Sequence, residues 1–201
     1  MGYILSIDQG TTGTTAVLID SKTFSFVAKE NKEFPQIYPT PGWVEHNLLD
    51  IWNSVEATVS AVLKNNNISS SDIVSIGLTN QRETTCAFDR DGMPLANAIV
   101  WQDRRTSDFC TELKNKDIEC SIINKTGLPL DPYFSATKMN WLKANDLKVK
   151  SALNDDNLLF GNIDTFLLYK LTNNTSFKTE ASNASRTLLM NLKIVTGTMN
   201  F

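Results

Sequence analysis

Short apolar runs at Tyr3 to Ile7, Ala16 to Ile19 and Phe24 to Ala28, separated by turn residues, predict three successive strands of an antiparallel opening sheet. From Asn47 the spacing changes. Leu48, Ile51, Trp52, Val55, Val59, Val62 and Leu63 recur three or four apart, which predicts an amphipathic helix ending in the run Lys64 to Asn67. Ile73 to Leu78 then reads as a buried strand feeding the polar residues Thr79 to Glu83. Thr84 to Phe88 predicts another strand, Asp89 to Gly92 a turn, and Ala98 to Trp101 a further short strand. Helices are expected from Arg105 through Leu113, from Ser135 to Ala144 and from Ile163 to Leu171. Alternating strand and helix signals place the chain in the α/β class. The Pro-rich patch Pro35 to Gly42 is too short to separate domains and is read as an ordered loop.

Composition narrows the function classes without choosing among them. The 201 residues, 41% of them apolar, suffice for a sizeable core. A net charge of −3 and a pI near 5.2 leave no broad basic surface, so no nucleic-acid partner is expected. Cys86, Cys110 and Cys120 are an odd number without CxxC spacing, the usage of reduced thiols in a cytoplasmic protein. No apolar run approaches the ~20 residues that cross a bilayer, so no membrane insertion is expected. The Asn-X-Ser/Thr triplets at Asn67, Asn124, Asn173 and Asn183 are accordingly read as unglycosylated.

Three constellations carry candidate chemistry. The first is Asp8-Gln9-Gly10-Thr11-Thr12-Gly13, a Gly- and Thr-rich turn between two strands with a carboxylate at its mouth. Backbone N–H groups in such a turn can approach a phosphate, hydroxyls add donors, and Asp8 can hold the cation that accompanies a nucleotide. No Gly-Lys-Ser/Thr follows, which separates it from the common phosphate loop. The plain alternative is a hairpin whose glycines supply positive φ. The second is Arg82-Glu83 at a strand end, where a carboxylate and a guanidinium can grip a polyol; the alternative is an exposed ion pair. The third is Trp101-Gln102-Asp103-Arg104-Arg105. Trp101 either walls a ligand's carbon chain or fills the core, with Asp103 as an N-terminal helix charge. His46, the sole histidine, reads as structural.

Taken in order, these motifs resemble the glycerol kinases of the FGGY carbohydrate kinase family. The likeness runs through Pro41-Gly42-Trp43-Val44-Glu45-His46, Asn80 to Thr84, Trp101 to Arg105, Asp131-Pro132-Tyr133-Phe134-Ser135, Lys138-Met139-x-Trp141-Leu142, Phe160 to Leu167 and Asn183-Ala184-Ser185-Arg186-Thr187. It covers about residues 3 to 192. The resemblance implies a ribonuclease-H-like domain of the actin-like ATPase superfamily, a mixed sheet flanked by helices, with residues 1–201 forming most of the N-terminal kinase domain and the second lobe absent. It also implies ATP and Mg²⁺ as cosubstrate and cofactor, and glycerol phosphorylated at its terminal hydroxyl. On matching positions, Arg82, Glu83, Trp101 and Tyr133 would line the glycerol site, with Arg82 also catalytic. Asp8 would be catalytic and would position the metal, while Gly10, Thr11, Thr12 and Gly13 would meet the nucleotide phosphates. Read without the motif, Tyr133 would simply be anchored between loop prolines.

The chain departs from the family pattern at three points besides its length. Thr15 stands where an Arg is common, Gly13 where Ser is common, and Ala144 where a polar residue is usual. Family members continue well beyond residue 201, and the remainder carries the acid that deprotonates the substrate hydroxyl and the lobe that binds adenosine. The run Ile194 to Phe201 loses the likeness, so a truncated or frameshifted product with little kinase activity of its own is expected. Two other readings stay open: a related sugar kinase, and a non-catalytic binding or interaction module whose exposed apolar face forms a homo-oligomer.

Overall fold

The opening alternation becomes a four-stranded mixed sheet in the computed structural model, which describes residues 2–197. The chain divides into two units, Met1–Gln36 with Asn47–Gln81, and Ile37–His46 with Arg82–Phe201. It crosses between them inside the Pro35 to Gly42 patch, which is a junction between units as well as a loop. Residues 198 to 201 of the divergent C-terminal run lie outside the described residues.

In the first unit, β1 (Tyr3–Gln9), β2 (Gly13–Asp20) and β3 (Phe26–Glu33) run antiparallel, and β5 (Ile73–Asn80) pairs parallel to β1, giving the order β3-β2-β1-β5. The helix expected after Asn47 is α1 (Leu48–Asn65), capped by the Asn47 side chain accepting from the Leu49 N–H. Its stripe of Leu48, Ile51, Val55 and Val62 is fully or almost fully buried against Leu5, Ile7, Ala16 and Leu18 of the sheet. The Thr14 and Ser54 hydroxyls share a buried hydrogen bond of 2.6 Å across that interface. β5 overturns its expected burial. α1 packs mainly on β2 and β3, so the edge strand is left uncovered, with Val74 64% and Ile76 52% exposed.

In the second unit, β4 (Glu45–His46) pairs with β7 (Ala98–Ile99), and β6 (Cys86–Asp89) pairs with β8 (Leu158–Gly161), both antiparallel. The bridge between Thr85 and Ile99 links the pairs. Helices α2 (Ser107–Lys114), α3 (Glu119–Thr126), α4 (Ser135–Asn145), α5 (Leu147–Asn154), α6 (Ile163–Leu171) and α7 (Ala181–Ala184) surround them. α2 begins two residues later than expected, Trp101 falls in the turn after β7, and α3, α5 and β8 had no sequence signal strong enough to place them. Ile122, Leu128, Leu130, Phe134 and Leu188 form one core cluster, and Ala87, Ile99, Leu142 and Val149 another. Cys86 and Cys110 are buried and Cys120 is exposed, all three as free thiols. Among the described residues, no helix is long and apolar enough to cross a membrane.

The turn between β1 and β2 shows why its glycines are there. Neither Gly10 nor Gly13 has positive φ, so the hairpin reading that relied on it fails. A Cβ on Gly13 would lie 2.8 Å from the Lys32 carbonyl oxygen and 3.1 Å from the Glu33 Cα; the glycine permits β3 to approach β2 this closely. Gly13→Ala should therefore lower stability by about 1–3 kcal/mol through overpacking against backbone. Urea denaturation checks this, and an unchanged midpoint would refute it. His46 is fully buried, and burial pulls its pKa from 6.5 down to about 4. A depressed value means the unfolded chain takes up the proton first, so the stability His46 contributes above pH 6.5 drains away as pH falls toward 4. The difference in unfolding free energy between wild type and His46→Asn should fall over that interval by about 2–3 kcal/mol, followed by denaturation at stepped pH.

Candidate functional site

Glu83 is the residue around which the second unit's polar groups gather. It stands three residues after the end of β5, its backbone sits at φ 62°, and only 3% of it is exposed. A non-glycine residue held in the left-handed region costs about 1–3 kcal/mol unless its surroundings fix it. The Ser135 hydroxyl, at the start of α4, donates to the Glu83 carbonyl at 3.1 Å. Asn162 in turn donates to the Ser135 hydroxyl at 2.9 Å and to the Thr84 carbonyl at 3.0 Å.

The carboxylate is held from another direction. Arg186 Nε donates to Glu83 Oε1 at 2.6 Å. The same guanidinium lies 5.0 Å from the Phe134 ring centroid and 5.9 Å from that of Tyr133. Tyr133 meets Trp101 with ring centroids 5.6 Å apart and planes inclined by 60°. The Trp101 N–H returns to the Thr84 hydroxyl at 3.3 Å, closing a ring of contacts back to the residue beside Glu83. Glu83, Trp101 and Tyr133, singled out from sequence, are thus brought together. Glu83 Oε2, the Tyr133 hydroxyl and the Arg186 Nη groups have no partner among the described residues. Arg82, next to Glu83 in the chain, is exposed and makes no hydrogen bond or ion pair among the described residues. A buried carboxylate oxygen without a donor is costly, and a ligand hydroxyl would satisfy it.

Two networks fix the loops that carry the rings. Lys138 is fully buried on α4, and its ammonium donates to the carbonyls of Pro132 at 2.6 Å, Tyr133 at 2.7 Å and Phe134 at 3.5 Å. Burial lowers its pKa to about 7, against the opposing pull of Asp103, Glu83 and Asp131. Asp131 caps the same loop, accepting from the Tyr133 N–H at 2.8 Å and from Arg104 at 2.9 Å. Asp103 does not act as the helix-end charge expected of it. It is buried, pairs with Arg105 at 2.8 Å and accepts from the Val44 N–H at 2.7 Å. Arg105 also pairs with Glu45 at 2.7 Å and lies over the rings of Trp43 and Trp141, at 3.8 and 4.6 Å.

The remaining expected residues stand in the first unit. Asp8 is exposed near the end of β1, Thr12 is exposed at the turn, and Gly10, Thr11 and Gly13 are half-buried. The Gly10 N–H donates to the Gly13 carbonyl at 2.9 Å. Below the turn, the Gln81 side-chain amide donates to Gln9 Oε1 at 3.1 Å and the Gln81 N–H to the Gln9 carbonyl at 2.7 Å, fastening β5 to β1. Thr15, at the position where Arg was expected, accepts from Asn31 at 2.8 Å. Among the described residues no group of three or more His, Cys, Asp or Glu is placed to hold a metal ion. A cavity of about 490 Å³ lined by Met139, Phe160, Thr165, Phe177 and Leu189 contains none of the expected site residues.

The sequence had no means of assigning Arg186 or Lys138 a role. Arg186 was visible only as the charged member of Asn183-Ala184-Ser185-Arg186-Thr187, and Lys138 only as the first residue of Lys138-Met139-x-Trp141-Leu142, with no role attached to either.

Comparison with known proteins agrees with this architecture. The model of the FGGY family of carbohydrate kinases, N-terminal domain, matches residues 3–196. The glycerol kinase of Rhizobium meliloti is 50% identical over 192 residues, which cover 95% of this chain and 38% of that protein. That of Chelativorans sp. is 52% identical over the same shares of each chain. The crystal structure of Plasmodium falciparum glycerol kinase with ADP superposes with a TM-score of 0.89 at 37% identity, covering 98% of this chain and 39% of that one. Gluconate kinase from Lactobacillus acidophilus gives 0.86 at 27% identity, over 98% and 38%. The ligand-bound xylulose kinase from the same organism gives 0.86 at 26%, over 99% and 39%. The fold is the actin-like one of these kinases, and the chain spans about 38% of the length of the curated relatives it matches.

Lys138 generates a direct test of the loop scaffold. Lys138→Met should leave the Pro132 and Tyr133 carbonyls without their donor and cost about 2–4 kcal/mol in chemical denaturation. A variant as stable as wild type would show that the ammonium does not hold the loop.

Proposed function

The chain belongs to the FGGY family of carbohydrate kinases, and from that footing we propose that it supplies the polyol site and the phosphate turn of a glycerol kinase, which transfers a phosphoryl group from ATP to a terminal hydroxyl of glycerol. The observation that carries this reading is the buried Glu83 carboxylate with a donorless Oε2, beside the Trp101 and Tyr133 rings.

The chemistry follows from the groups present. Glu83 Oε2 accepts from substrate hydroxyls, while the exposed Arg82 guanidinium donates to the same oxygens and lowers the cost of negative charge arriving nearby. The two inclined rings offer apolar faces to the C–H groups of a short carbon chain, and the Tyr133 hydroxyl adds one donor. Holding the alcohol in one orientation is the main contribution protein groups make to phosphoryl transfer. In the first unit, the backbone N–H groups of the Thr11 to Gly13 segment and the Thr11 and Thr12 hydroxyls bind nucleotide phosphates, while Gly10, whose N–H is taken by the Gly13 carbonyl, shapes the turn that meets them. Asp8, a carboxylate exposed near a strand end, suits Mg²⁺, which keeps several waters and takes one or two carboxylates. When bound, the ion neutralises charge on the transferred group.

Likeness to xylulose and gluconate kinases makes the choice of polyol the point to test. Calorimetric titration of the chain with glycerol, xylulose and gluconate should show binding by glycerol, weakened at least tenfold by Glu83→Gln and by Arg82→Ala, in line with loss of charge-assisted hydrogen bonds. Tighter binding of either larger compound, or no response to glycerol, would overturn the assignment.

A further inference from the structure

The contact of Arg186 with Glu83 spans 103 residues of sequence and uses only one of the guanidinium's nitrogens. We propose that Arg186 is a positioning residue for the polyol site, which clamps Glu83 Oε1 through Nε so that Oε2 is presented to the ligand. The inference rests on the reading of Glu83 given above.

Several observations bear on it. Glu83 is 3% exposed, and a carboxylate so placed with no cation against it would carry a large desolvation cost. Arg186 is the only cation that ion-pairs with it among the described residues. The Nε bond anchors one carboxylate oxygen, and the guanidinium that makes it lies against the Phe134 and Tyr133 rings, which restrain where it can sit. The backbone around Arg186 is also held: the Ala136 N–H in α4 donates to the Thr187 carbonyl at 2.9 Å, and the Arg186 N–H to the Asn183 carbonyl at 3.0 Å. Arg186 therefore ties the segment after α7 to the polyol-facing carboxylate and to the ring beside it. A lysine could supply the charge but not the in-plane donor with ring contact, so the two substitutions should separate.

The test is a double-mutant cycle on the 201-residue chain, with glycerol affinity read by calorimetry for wild type, Arg186→Met, Arg186→Lys, Glu83→Gln and the Arg186→Met/Glu83→Gln pair. Arg186→Met should weaken glycerol binding about tenfold or more, the loss expected for a hydrogen bond to a charged group, and Arg186→Lys by about threefold. In the Glu83→Gln background Arg186→Met should add less than about twofold, because the carboxylate it acts through is gone. If Arg186→Met does not fold, the cycle is run with Arg186→Lys, whose effect should also vanish beside Glu83→Gln. Unaltered affinity in the single variant, or losses that multiply in the double one, would overturn the positioning role while leaving the polyol site in place. Wild type that ignores glycerol would instead sink the site reading itself.

Discussion

A carboxylate taken almost wholly out of water, on a backbone bent into the left-handed region, is the constraint on which the second unit's candidate site depends. Neither condition is stable alone. The charge requires a cation, which Arg186 provides, and the backbone requires neighbours that hold φ at 62°, which the Ser135 and Asn162 side chains provide through the Glu83 and Thr84 carbonyls. One oxygen of the carboxylate is left without a donor, and strain and an unmet polar group at the same residue mark a position shaped for something other than folding.

The surrounding architecture holds the segments that carry the two rings. Tyr133 belongs to a loop with little secondary structure, and its carbonyl and those of its neighbours would face the interior unpaired without the Lys138 ammonium. Trp101 sits in a turn whose far end is anchored by Asp103 and Arg105. The Arg105 guanidinium is 2% exposed, ion-paired twice and flanked by Trp43 and Trp141, so that turn is tied to the Pro41 to Glu45 loop by charge and by stacking together. Buried ion pairs add little net stability, but breaking one leaves a stranded charge, and that penalty is what makes the loop geometry single-valued.

Legibility in the sequence followed the range of the interaction. The first two strands and α1 were readable because their signals, alternation and three-to-four spacing, are local, whereas the third strand, expected at Phe24 to Ala28, runs Phe26–Glu33 because its exposed polar half carries no apolar signal. Asp8, Glu83, Trp101 and Tyr133 could be singled out as candidates because each stands in a compact motif. The burial of β5 was misjudged because an apolar run cannot say which strands a helix will cover, and α1 stops short of Val74 and Ile76. α3 and α5 are two turns each with weak periodicity, and α5 is marked chiefly by the Asp146 side chain capping its first N–H groups. Arg186 and Lys138 were illegible for a stronger reason: one acts across 103 residues, and the other on carbonyls that have no sequence identity at all.

The turn between β1 and β2 obeys a different economy of charge. Its expected cation is missing, and the residue in that place, Thr15, is engaged by Asn31 across the sheet, so it is not swung toward the turn. Backbone and hydroxyl donors then have to meet any phosphate there, and these are dipoles, not charges. Dipoles orient an anion well but neutralise it poorly, so under the proposed reading a cation at Asp8 would carry most of the neutralisation. The close approach of β3 to Gly13 leaves the backbone of the turn little room to move. A serine at Gly13 would add one hydroxyl at the cost of pushing Lys32 and the strand behind it away, so in this chain the shape of the turn takes precedence over an extra donor.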